Sequence, residues 1–186
     1  MTASATETSA AAKCYDIEWH NFSKPSLVAR DMSTGSVVYT VVAHNLTSNI
    51  EVSSPTGLIA EAKSPMLSSR TEVTLHQGIG SNFVLEKTSM LSNGRKFKAS
   101  SGEELTWEGS MGNLTCCNEQ GLNVVRIRSQ GMLKKKTTLE VNGHVGEDVL
   151  ISALIMFVQD KRRTMRDLNA SVAAGSAGGA AVAASC

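Results

Sequence analysis

The chain has 186 residues, 41% of them hydrophobic and 4% aromatic, with 15 Gly and 3 Pro. That size fits one domain of about 150 residues plus tails, and the apolar content excludes disorder throughout. With 18 Lys+Arg against 17 Asp+Glu the formal net charge is +1, so the chain lacks the positive field that non-specific duplex binding requires.

Residues 1–13, MTASATETSAAAK, are small and polar and read as a flexible arm. The segment lacks the basic start and apolar run of a signal peptide, which predicts an intracellular, cytoplasmic protein. The cysteines are Cys14, Cys116, Cys117 and Cys186. Two are adjacent and two lie in or near the tails, a spacing that forms neither a disulfide framework nor a zinc site.

From Tyr15 to Asn142 short apolar-alternating runs follow one another at a spacing of about ten residues, the pattern of an all-β sandwich or barrel. The predicted strands are Tyr15–His20, Leu27–Met32, Val37–Ala43, Ile50–Ser54, Gly57–Lys63 and Thr71–Gln77. Phe83–Ser89, Arg95–Ser100, Glu103–Gly109, Asn113–Glu119, Asn123–Ser129 and Thr137–Asn142 complete twelve. Ile17 and Trp19 oppose Asp16, Glu18 and His20; Leu105 and Trp107 oppose Glu104, Thr106 and Glu108. One buried and one wet face per strand indicates an antiparallel sheet. Pro25, Pro55 and Pro65 fall between runs, where a missing N–H breaks no ladder. The pairs Asn93-Gly94, Ser101-Gly102, Met111-Gly112 and Gln120-Gly121 supply turn residues that tolerate positive φ.

After Gly146 the period changes. Glu147-Asp148 leads into the apolar run Val149–Val158, broken only by Ser152, and then into Lys161-Arg162-Arg163. This predicts a helix over about 147–166, acidic at its start and basic at its expected end. A helix apolar on all sides must be buried on all sides or cross a membrane. Ten residues at ~1.5 Å each reach about half of a ~30 Å hydrocarbon core, so no transmembrane segment is expected. Residues 168–186, low-complexity Ala/Gly/Ser, read as a disordered tail.

Twelve strands and one all-apolar helix explain each other. A closed barrel of that size is too wide for side chains alone to fill, and a helix through it supplies the missing core. The expected fold is therefore mainly β: a twelve-stranded antiparallel closed barrel over residues 14–167, enclosing a C-terminal hydrophobic helix. The strand series Tyr15–Asn142, the segment GEDVLISALIMFVQDKRR at 146–163 and the basic final hairpin 123–141 resemble the tubby C-terminal-like superfamily, and within it the LURP-one-related proteins. That resemblance implies a non-enzymatic binding or scaffold module. It points to anionic phospholipid, such as phosphoinositide, as candidate ligand, with a protein partner as the alternative. The segment after Val158 is neither acidic nor long and apolar, which separates the chain from the scramblase branch.

Lys134, Lys135 and Lys136 are the densest charge run and, with Arg126 and Arg128 on the preceding strand, the candidate lipid-binding residues. Arg95, Lys96 and Lys98 are expected to add charge to another outer face, and Lys161, Arg162, Arg163 and Arg166 to complement the helix C-terminus. No catalytic residue, metal ligand or cofactor motif is predicted. The four histidines lack helical pairing, Gly78-Ile-Gly80 has neither the lysine nor the helix of a phosphate loop, and few aromatics are available to stack on single-stranded nucleic acid.

Overall fold

The computed structural model describes residues 12–20, 25–44, 49–64, 69–89, 92–130 and 136–179. Twelve strands follow in order: β1 (Lys13–His20), β2 (Ser26–Asp31), β3 (Val37–Ala43), β4 (Asn49–Ser54), β5 (Gly57–Lys63), β6 (Arg70–Leu75), β7 (Phe83–Lys87), β8 (Arg95–Lys98), β9 (Glu104–Ser110), β10 (Asn113–Asn118), β11 (Asn123–Ser129) and β12 (Thr137–Val141). Each pairs antiparallel with its chain neighbours, and β1 pairs with β12 through Lys13↔Val141 to Ile17↔Thr137, which closes the barrel. The expected mainly β, closed twelve-stranded barrel with one C-terminal helix is the observed fold.

Alternation decides what fills it. Ile17, Leu27, Val41, Val52, Leu85, Trp107, Ile127 and Leu139 point inward and are fully buried. They meet helix α1 (Glu147–Gly179), whose residues Ile151–Val158 are all buried. Phe157 meets the Trp19 ring edge-on at 6.3 Å. The one polar residue in the apolar run, Ser152, accepts a hydrogen bond from Trp107 Nε1 at 3.0 Å and donates to the Val149 carbonyl at 2.7 Å. A buried hydroxyl is tolerated because both of its roles are used.

The helix is fixed at both rims. Connections from even to odd strands lie at the end it enters, where Tyr39 Oη donates to Glu147 and the Ser100 amide donates to Asp148 at 2.6 Å. Connections from odd to even strands surround the end it leaves. There Gln159 Nε2 donates to Ser64 Oγ and Thr71 Oγ1, each at 3.0 Å, and Arg162 donates to the His44 carbonyl at 2.7 Å.

Two expectations change. The helix does not stop near 166: its backbone continues to Gly179, so residues 168–179, expected in the disordered tail, are helical, while 180–186 lie outside the described residues. Once a helix is nucleated inside a barrel, adding residues costs little, and this stretch is rich in alanine, the strongest helix former. In consequence Lys161–Arg163 and Arg166 sit in mid-helix, and the last turn has no basic residue. Gly94, expected at positive φ, is absent from the positive-φ glycines. Its requirement is space: a Cβ there would lie 2.6 Å from Thr88 Oγ1 and 3.2 Å from the Trp107 carbonyl.

Candidate functional site at the helix exit

The candidate basic residues do not form one patch. Lys134 and Lys135 lie outside the described residues, and Lys136 is exposed just before β12. Arg126 and Arg128 face outward from β11, where register sets an acid beside the first and one strand further from the second. Arg126 is opposite Glu140 on β12. Arg128 is opposite Thr138, whose other neighbour is Asp16 on β1. Cross-strand neighbours of opposite sign attract and cancel each other's field a few ångströms out, so this wall carries alternating charge. On β8, Lys96 reaches Glu104 on β9 at 3.5 Å.

Arg95 corrects the sequence expectation. It belongs to the inward set of β8 with Phe97, and only 8% of it is exposed. Strand parity already carries this: residues two apart share a face. Its Nη1 donates to the Ser69 carbonyl at 3.5 Å, a long bond for a buried guanidinium. Burial first, and then the neighbouring Arg163 guanidinium, hold its pKa below the usual arginine range.

Around Arg95 the odd-to-even connections and α1 build a polar rim. The β9–β10 hairpin turns on Met111 and Gly112, both at positive φ (56° and 79°). A methionine in that conformation is strained. It is held there by Asp160, whose buried carboxylate accepts the Gly112 amide at 2.6 Å and the Met111 amide at 3.3 Å. The Met111 side chain is 62% exposed. Beside it a cleft of about 370 Å³ lies between the hairpin and the emerging helix, lined by Met111, Asp160, Arg163, Thr164, Asp167 and Leu168 among others. A narrow cavity of about 10 Å³ shares Asn93, Asp160 and Arg163 with the cleft and has Arg95 in its wall. Arg162 is also depressed, by burial and then by Arg166.

Other features carry less chemistry. The Cys116 thiol is fully buried and its pKa is pushed up, chiefly by burial, so it packs as an apolar group. Among the described residues no group of His, Cys, Asp and Glu is placed to hold a metal ion, and no helix is long and apolar enough to cross a membrane. A shallow groove of about 560 Å³ lies where the β7–β8 ladder ends at Glu86↔Lys96. The Phe83 and Phe97 rings, 5.0 Å apart, pack together there. Sequence reasoning did not pick out Gln159 and Asp160 as rim anchors. Their signal is two polar residues directly after an all-apolar helical run.

The family model described as a family of unknown function, DUF6593, matches residues 23–164, and the chain belongs to that family. No curated protein matches the sequence. Among solved structures, the X-ray structure of a protein from Arabidopsis thaliana is similar, with a TM-score of 0.55 at 12% identity. The match covers 78% of this chain and 90% of the Arabidopsis chain. At that identity the likeness is one of fold.

Proposed function

We propose that this member of DUF6593 is a non-enzymatic binding module, of the tubby-like and LURP-one-related kind, that contacts anionic phospholipid at the end of the barrel where the helix emerges. The observation that carries the reading is the gathering of Lys136, Lys161, Arg162, Arg163 and Arg166 at that end, against a side wall of alternating charge. The acid among them with the deepest burial, Asp160, is engaged by two amides. Apolar exposure supports the same end: Met111 and Leu168 are 62% and 59% exposed.

Each basic residue close to an anionic surface contributes about 1 kcal/mol, and five contribute about 5 kcal/mol, or binding near 0.2 mM accessible lipid. Such binding is peripheral and reversible. Co-sedimentation with phosphatidylcholine vesicles, with and without 10% phosphoinositide, tests it. Pelleting should rise with phosphoinositide and fall with salt and with Arg163→Gln/Arg166→Gln. Pelleting independent of phosphoinositide content defeats the reading. The second reading, a protein-interaction module with no lipid role, draws on the continuation of α1 to Gly179, well past the buried Asp160. Pull-downs with and without residues 168–186 address it, because a partner held by that segment is lost on truncation.

A further inference from the structure

We infer that the cleft beside the emerging helix is a phosphate-group site, in which Arg163 grips the anion and the buried Arg95 supplies the positive charge behind it. The inference deepens the lipid reading and rests on it only for the source of the phosphate.

Buried charges in folded proteins are as a rule paired, and among the described residues Arg95 has no acidic partner. Arg95 is 8% exposed, and among the described residues its only hydrogen bond is the 3.5 Å contact with the Ser69 carbonyl. Among the described residues neither Arg95 nor Arg163 makes an ion pair, and Arg163 lines the cavity that Arg95 borders. Asp160 lines the same cavity, yet its two oxygens accept the Met111 and Gly112 amides, and it reaches neither guanidinium. Two guanidinium groups thus line one cavity, and among the described residues most of their ten N–H donors have no protein acceptor.

An anion with several acceptor oxygens completes this arrangement. Phosphate suits it best, because guanidinium groups bind it in a bidentate, charge-assisted geometry. Access is through the outer cleft, which shares Asn93, Asp160 and Arg163 with the inner cavity. Exposed Met111 and Leu168 flank this entrance, and their apolar surface suits a phosphate carried on a lipid better than a free ion.

The test is a thermal-melt titration with sodium phosphate against sodium chloride at matched ionic strength, followed by vesicle binding. Wild type should be stabilised by phosphate beyond the chloride control. Arg163→Gln, half-exposed and safe for folding, should weaken phosphate by about tenfold or more. Arg95→Met should abolish the phosphate response, while its melting temperature in chloride holds or rises because an unpaired buried charge is removed. Arg126→Gln, on the outer wall, should respond as wild type does.

If phosphate stabilises the protein but phosphoinositide vesicles do not bind, the site stands and the lipid reading falls. If vesicles bind wild type and Arg163→Gln equally, the lipid reading stands and this site is overturned. The site is also overturned if no phosphate response exceeds the chloride control, or if Arg163→Gln retains the full response.

Discussion

Replacing Ser152 by Ala gives opposite signs for a helix inside the barrel and for one outside it. Trp107 and Ser152 are both 0% exposed, and the indole N–H has the Ser152 hydroxyl as its acceptor at 3.0 Å. Indole is a donor only, so Ser152→Ala leaves a buried N–H unmatched, at a cost of about 1–3 kcal/mol. Alanine returns about 0.5 kcal/mol through its higher helix propensity. The net loss is therefore about 0.5–2.5 kcal/mol. With a urea slope near 2 kcal/mol/M, the unfolding midpoint should fall by about 0.3–1.2 M. Tryptophan fluorescence and far-UV circular dichroism should follow the same transition. Adding Trp107→Phe to Ser152→Ala removes the stranded donor, so the two losses should be less than additive by about 1 kcal/mol. On a solvent-exposed helix only the propensity gain would operate. A midpoint unchanged or raised by Ser152→Ala would refute the enclosed-helix reasoning.

Gly109 and Gly121 separate two reasons for a glycine. Both have positive φ, 109° and 76°, but a Cβ on Gly109 would collide with the Asn113 carbonyl oxygen, whereas one on Gly121 would meet nothing within 4 Å. Gly121→Ala should cost about 1 kcal/mol from backbone strain alone, and Gly109→Ala at least twice that; equal costs in urea titrations would contradict the geometry. Asp31 offers a pH test. The Ser33 hydroxyl, and then the Ser33 amide, hold its carboxyl below the usual value of 3.8, with a smaller contribution from the Thr34 amide. Because the folded pKa is the depressed one, the contribution to stability is complete above the unfolded value and is lost as pH falls through the folded value. In a carboxyl-carbon NMR titration Ser33→Ala should move the Asp31 midpoint up towards 3.8; an unmoved midpoint would show that the hydroxyl is not the cause.

Features that depend on neighbours along the chain were legible from the residues alone. Period-two alternation puts Leu105 and Trp107 inside and Glu104 and Thr106 outside, whatever strand lies alongside. The unbroken apolar run 149–158 has to be enclosed because no face of it suits water, and that requirement, with twelve strands, already implied a barrel around a helix. Arg95 was within reach of the same rule: it shares parity with Phe97, and reading its charge ahead of its parity put it on the wrong face. The length of α1 was misjudged because composition alone does not weigh an alanine-rich segment against the nucleus already formed before it.

Tertiary structure decided what depends on residues distant in the chain. Arg126 and Arg128 look like part of a basic cluster until register sets Glu140 and Thr138 opposite them. Register is fixed by side-chain packing across strands, which a single strand does not encode. The meeting of Trp107 with Ser152, of Asp160 with the Met111-Gly112 hairpin, and of Arg95 with Arg163 spans 45 residues or more in each case. The helix makes these meetings possible: it enters at the rim of Tyr39 and Ser100 and carries Asp160 and Arg163 to the opposite one. Where positive charge gathers is therefore set by where the helix ends its passage through the barrel, and the near-zero net charge of the chain gives no sign of it.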